Sequence, residues 1–217
     1  EQGIYKAALK QIEKALQIIG EIPNNNKLTA NAYERLGYIH SQLENYATSM
    51  KYYLKSLEIY EEIKSKGEIA DLYDLIGEAY FRIDDMDYAV EYYRRSLDIN
   101  METGRVNKMA SNYLHIERAY ESEGNQESAK DYFEKSRKIY EKIGDKKGSA
   151  EVYLDIGELG LLDGDISDSK YWSEKGYELT KELGSLKLER KACNLLYQIH
   201  KQLGNGAQAL IYYERCY

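Results

Sequence analysis

The chain repeats itself every 40 residues, and this period constrains its fold more than any other feature. Tyr33, Tyr73, Tyr113 and Tyr153 open the same phrase: an aromatic ring, two residues, Leu or Ile, usually Gly, then His or Tyr three further on. The set runs Tyr33-Leu36-Gly37-His40, Tyr73-Ile76-Gly77-Tyr80, Tyr113-Ile116-Glu117-Tyr120, Tyr153-Ile156-Gly157-Gly160 and, decayed, Cys193-Leu196-Tyr197-His200. A fixed period of this size marks a solenoid of stacked supersecondary units.

A second phrase follows at constant offset: Ser49 and Tyr53, Ala89 and Tyr93, Ala129 and Phe133, Ser169 and Ser173, Ala209 and Tyr213. Residues four apart share one helix face. Between the phrases stand Glu44-Asn45, Asp84-Asp85, Gly124-Asn125, Gly164-Asp165 and Gly204-Asn205. Gly ends a helix in the left-handed conformation and Asn or Asp caps the next, so each repeat reads as an αα-hairpin. Gly77 and Gly157 are expected where two helices cross closely. Glu117 and Tyr197 occupy the same register, which predicts looser crossings or outward side chains there.

Over essentially its whole length the chain resembles the tetratricopeptide repeat family, whose pattern is aromatic-x2-Leu-Gly-x2-Tyr, then Ala-x3-Phe, then Pro. Two features depart from it. The period exceeds the family's usual one of about 34, and the closing Pro is absent, the only proline being Pro23. The added residues predict a longer second helix, because Ile59 and Ile63, Ile99 and Thr103, Ile139 and Ile143, and Leu179 and Leu183 extend the apolar face by a turn. Long repeats of this kind resemble those of bacterial signalling proteins, including sensor kinases, transcription regulators and peptide receptors.

The expected fold is therefore all-α, a right-handed α-solenoid of stacked antiparallel helix hairpins in a single domain. It divides into a half repeat over 1–27, repeats over 28–67, 68–107, 108–147 and 148–187, and a truncated repeat over 188–217. The chain begins at Glu1 without Met and reads as a piece of a larger protein. With 43% apolar and 31% charged residues it has the composition of a globular chain. No apolar run reaches the roughly 18 residues of a membrane span, and no signal peptide is visible. Two cysteines without a dense framework suit a reducing, cytoplasmic compartment; a periplasmic or other extracytoplasmic sensor domain is the alternative. Whether Cys193 and Cys216 pair across the last hairpin is open.

Most chemistry is disfavoured. A net charge of −7 and a pI of about 5.2 have the wrong sign for following a phosphate backbone. The 23 tyrosines fall mostly at packing registers, where a ring is buried while its hydroxyl reaches water. The acidic runs Asp84-Asp85-Met86-Asp87 and Asp163-Gly164-Asp165-Ile166-Ser167-Asp168 lack the spacing of a calcium loop and read as helix caps. His40, His115 and His200 lie in separate repeats. Cys193 and His200, seven apart on one helix, are too distant along its axis for a nucleophile and base. No catalysis, metal or cofactor is expected.

What remains is a binding face. The resemblance implies that ligand meets the first helix of each repeat on the concave side, at positions that vary in chemistry while the packing positions do not. Carried over, these are Asn31, Glu34, Tyr38, Ser41 and Gln42; Asp71, Asp74, Glu78, Phe81 and Arg82; and Ser111, Leu114, Arg118, Glu121 and Ser122. The last two repeats add Glu151, Leu154, Glu158, Leu161 and Leu162, then Lys191, Asn194, Gln198, Lys201 and Gln202. An acidic middle, an apolar patch at Leu154, Leu161 and Leu162, and a basic, amide-rich end imply a non-catalytic scaffold for an extended peptide or partner protein. The expected ligand places a basic segment near Asp71, Asp74 and Glu78 and an apolar anchor near Leu161 and Leu162. A peptide-pheromone receptor domain of a transcription regulator, and a self-association module dimerising through open solenoid ends, are the alternative readings.

Overall fold

The computed structural model describes residues 2–20 and 25–216, apart from the side chains nearest those limits. Pro23 and the side chain of Cys216 lie outside the described residues. Within them the chain forms eleven helices and no strand: α1 (Gln2–Gly20), α2 (Asn26–Gln42), α3 (Tyr46–Glu62), α4 (Lys66–Arg82), α5 (Met86–Glu102), α6 (Val106–Ser122), α7 (Gln126–Ile143), α8 (Lys146–Asp163), α9 (Ile166–Leu183), α10 (Leu186–Gln202) and α11 (Gly206–Cys216). The all-α class of stacked helix hairpins is thus established.

The backbone has a finer period than the side chains. Left-handed residues recur every 20 positions, at Glu44, Lys64, Asp84, Gly104, Gly124, Gly144, Gly164, Gly184 and Gly204, each ending one helix before the next is capped. Asp85, Asn125 and Asp165 cap with their side chains, accepting from the backbone N–H of Tyr88, Ser128 and Asp168. The acidic runs therefore serve helix starts. Because the turns are evenly spaced, α2 to α10 all span 17 or 18 residues, so the added length is shared between both helices of a hairpin rather than placed in the second. Ile63, Ile143 and Leu183 fall at the helix ends and are more than a third exposed; the last buried residues of these helices are Tyr60, Tyr140 and Thr180.

The chain divides into two compact units, residues 1–108 and 109–217. In the first, α1 packs on α2, α2 pairs with α3, α3 with α4 and α4 with α5. Tyr53, Tyr60, Leu72 and Ile76 fill its core. Gly37 is required here: a Cβ on it would stand 2.5 Å from the Tyr53 ring, and one on Gly77 would stand 2.7 Å from Tyr93. The Ser49 hydroxyl ties the same crossing by donating to the Gly37 carbonyl at 2.7 Å.

In the second unit α7 packs on α8, α8 on α9, α9 on α10 and α10 on α11, with α8 also touching α10. Phe133, Tyr140, Val152 and Leu159 form one core cluster, and Leu154, Cys193, Leu196 and Ile199 another. Gly157 is as tightly placed as Gly77, since a Cβ would meet Ser173 Oγ at 2.3 Å. Of the two outcomes expected at Glu117, an outward side chain is ruled out: it is wholly buried, as are Ala110, Leu114, Ile116 and Ala119 on the same helix. Tyr197 is half-buried, its ring 5.7 Å from that of Tyr213.

The tyrosine excess is used in a repeating stack. Tyr33 meets Tyr52, Tyr73 meets Tyr92, Tyr113 meets Tyr132 and Tyr153 meets Trp172 at centroid distances of 5.2 to 6.1 Å. Lys55, Arg95, Lys135 and Lys175 lie over these pairs, 4.7 to 6.0 Å from the rings. At exposed sites each such contact contributes about 0.5–1 kcal/mol. His40 and His200 continue the theme, stacking on Tyr52 and Tyr212 at 5.5 Å.

Candidate functional site

The first helices of the hairpins, α2, α4, α6, α8 and α10, carry every position expected to meet a ligand. In the first unit the acids of α4 among them are already engaged. Asp71 takes Arg105 Nη2 at 2.8 Å and Lys108 Nζ at 2.9 Å, while Arg105 Nη1 donates to the Gly67 carbonyl. Glu78 pairs with Arg82 at 2.7 Å and accepts the Tyr93 hydroxyl at 3.2 Å. Asp74 is half-buried and also engaged. These internal cations compete with the basic ligand segment expected there. Asn31 accepts the Tyr60 hydroxyl, and Glu34 is half-buried, with burial first and then the charge of Asp71 pushing its carboxyl up. Tyr38 is exposed and Phe81 half-buried. A cavity of 240 Å³ opens among Tyr38, Ser41, Gln42, Leu75, Glu78 and Arg82, so five expected positions converge on one cleft.

In the second unit a residue absent from the expected set stands at the centre. Asp155, 3% exposed, receives Arg118 Nε at 3.0 Å and Nη2 at 2.7 Å on one oxygen, and Lys191 Nζ at 2.6 Å on the other. Lys191 also reaches Glu158 at 2.7 Å. Three consecutive first helices are joined by one carboxylate. Burial opposes the charges of Arg118 and Lys191, yet Asp155 together with the neighbouring glutamates outweighs it and both are held above their ordinary values. Glu117 lies beside this group with no hydrogen-bond partner on either oxygen; burial, then Asp155 and Glu121, push its carboxyl up to about 10. Burial, then Asp155 and Glu158, raise half-buried Glu121 to about 7.

The apolar patch is smaller than expected. Leu154 and Leu114 turn into the core and are 0% and 2% exposed, since the register that carries Asp74 and Asn194 to the surface places a leucine against neighbouring helices when one is available. Leu161 is half-buried and Leu162 exposed. With Glu158, Lys191, Asn194, Leu195 and Gln198 they line a cavity of 110 Å³. Gln198 donates to Asn194 at 3.5 Å. Lys201 lies over the Tyr197 ring, outside the residues lining that cavity.

Neither Asp155 nor Glu117 is among the expected ligand positions. Glu117 stands out in the sequence as a departure at the packing register of Gly37, Gly77 and Gly157, whereas the register of Asp155 carries Arg35, Leu75, His115 and Leu195 in the other repeats and gives no such signal. A further cleft of 270 Å³, among Phe133, Ile156, Leu159, Trp172, Lys130 and Asp163, was not foreseen either. Cys193 is buried in the core. No helix among the described residues is long and apolar enough to cross a membrane.

The comparisons agree with this architecture. BtubC (BKLC) from P. vanneervenii superposes with a TM-score of 0.82 at 18% identity, over 98% of this chain and 87% of that one. Aspartyl phosphate phosphatase F from Bacillus subtilis gives 0.79 at 14% identity, over 98% of this chain and 64% of the phosphatase. The Rap conjugation gene regulator of plasmid pLS20, solved with the Phr* peptide, gives 0.76 at 20% identity, over 98% of this chain and 59% of the regulator. At such identities the likeness is one of fold. No curated protein matches the chain by sequence. The tetratricopeptide repeat profile, however, matches residues 1–62 and 68–142, more than half the chain, in agreement with hairpins that pair at the Gly37 and Gly77 crossings. The chain belongs to the tetratricopeptide repeat family.

Proposed function

We propose that the chain is a non-catalytic scaffold that binds an extended peptide or partner segment along the first-helix face of its hairpins. One observation carries this reading: six of the seven residues around the 110 Å³ cavity, namely Glu158, Leu161, Leu162, Lys191, Asn194 and Gln198, are positions where a ligand was expected from sequence. Leu161 and Leu162 supply an apolar anchor, and the exposed amides of Asn194 and Gln198 offer both donors and acceptors to a peptide backbone. That a Rap regulator of similar fold was solved with a peptide supports the class of ligand. A sensory role in a bacterial signalling protein, including the receptor part of a regulator, fits such a scaffold.

Selection of displayed random peptides against the chain tests this directly. Binders are expected to lose about ten-fold in affinity on Leu161→Asp, mainly through faster dissociation, and to be indifferent to Leu54→Asp on α3. Binders that ignore Leu161→Asp would remove the assignment.

A second reading is self-association. Leu210, Ile211 and Tyr213 expose 56%, 41% and 47% of their surface on α11, a larger apolar surface than a solvated helix needs. Concentration-dependent sedimentation that Leu210→Glu abolishes would favour it; a monomer at all concentrations would eliminate it.

A further inference from the structure

The charged group of the second unit does not balance. Four carboxyls, Asp155, Glu158, Glu117 and Glu121, meet two cations, Arg118 and Lys191. Asp155 and Glu158 take both cations at 2.6 to 3.0 Å. Glu117 and Glu121 have no ion-pair partner among the described residues, and neither oxygen of Glu117 has a hydrogen-bond partner. Buried polar atoms are nearly always satisfied, so two orphaned oxygens on one side chain call for an explanation. Packing offers none, because the repeat accepts glycine at this register in Gly37, Gly77 and Gly157.

The remaining neighbours limit what could complete the group. Arg118 and Glu121 lie beside Glu117 on α6; Asp155, Glu158 and Glu151 come from α8 and Lys191 from α10. By register α7 presents the uncharged ring of Phe133. No three side chains converge to hold a metal ion among the described residues. What fits two unpaired carboxyls without metal geometry is an organic cation carrying several N–H donors.

We propose that Glu117 and Glu121 form a receptor for one cationic side chain of the bound segment, an arginine guanidinium or lysine ammonium, which enters over Glu121 and displaces a proton to solvent. The reading rests on the first-helix face as the binding face. Below about pH 7 both carboxyls of the empty group hold protons, and the sum over the six side chains is zero. The arriving cation pairs with the carboxylate left when one O–H breaks; the proton passes to buffer, and neutrality is kept. Half-buried Glu121 loses the proton and makes the contact, while buried Glu117 keeps its own proton and lends its carbonyl oxygen to the N–H groups of the cation. Binding of a basic segment is thereby linked to pH, and a neutral segment of equal shape is rejected.

Titration calorimetry of the full chain with acetylated, amidated tri-arginine, run about one unit below the Glu121 value of about 7 in buffers of different ionisation enthalpy, tests this. The expected result is release of about one proton per chain bound, with the tri-citrulline isostere binding about ten-fold more weakly and releasing none. Glu121→Gln should abolish the release, and Glu117→Leu, which removes the acceptor, should weaken tri-arginine about ten-fold while keeping native helix content. The exposed Glu127→Gln on α7 should change neither. Equal losses in Glu127→Gln, or binding without proton release, would overturn the receptor. Displayed peptides that depend on Leu161 yet bind Glu117→Leu unchanged would retire the receptor and keep the groove; proton-linked tri-arginine binding indifferent to Leu161→Asp would support the receptor alone.

Discussion

Arg118 reaches from α6 to α8 and places its Nη2 2.7 Å from Oδ2 of Asp155, a carboxylate that Lys191 of α10 engages on its other oxygen. Three hairpins are thus tied through a single group that is 3% exposed. Removing it strands two partly buried cations beside one another. Asp155→Ala should therefore cost about 3–5 kcal/mol, read as a shift in the urea midpoint; a cost below about 1 kcal/mol, the range of exposed pairs, would show that the bridge adds nothing.

Glu117 should make stability depend on pH in an unusual direction. Its carboxyl rises from an ordinary 4.5 to about 10 on folding, so the folded chain keeps a proton that the unfolded chain has lost. Its contribution is complete below 4.5 and declines as pH climbs toward 10, by about 1.4 kcal/mol per unit. Glu121 adds a weaker trend of the same sign up to about 7. Glu117→Gln should flatten the curve and leave the protein more stable than the parent in mild alkali. A parent curve that is level from mildly acidic to alkaline pH would contradict the burial of this side chain.

Gly77 lies against the Tyr93 ring, so Gly77→Leu should destabilise by about 1–3 kcal/mol through overpacking. Thermal melts would show it. An unchanged melting temperature would mean that this helix crossing is looser than the 2.7 Å approach indicates.

Lys64 holds the left-handed conformation with φ of 56° on an exposed turn where later repeats use glycine. Lys64→Gly should stabilise by about 0.5–1 kcal/mol, because glycine meets no Cβ penalty there. Lys64→Ala is the control and should give no gain. Equal melting temperatures for both variants would show the turn to be unstrained.

Much of this fold was legible because its determinants are local. A left-handed turn residue followed by an Asn or Asp cap needs only its own neighbours, so Asn45, Asp85, Asn125, Asp165 and Asn205 marked the turns, and Gly37, Gly77 and Gly157 marked close crossings. The equal helices were also encoded, in turn residues at 64, 104, 144 and 184, but the longer repeat of aromatic phrases concealed them. The binding face was half legible: periodicity assigned Glu158, Leu161, Lys191 and Gln198 to one side of their helices, since register alone decides which way a residue faces. It could not decide whether a residue at that register reaches water. Leu114 and Leu154 went into the core while Asp71 and Glu78 were neutralised by Arg105 and Arg82, because burial and ion pairing depend on what stands across the interface. Glu117 and Asp155 show the limit most clearly. Glu117 replaces a packing glycine and Asp155 stands at a register of mixed chemistry, and only the assembled helices bring Asp155 to Arg118 and Lys191, where low solvent exposure strengthens the ion pairs.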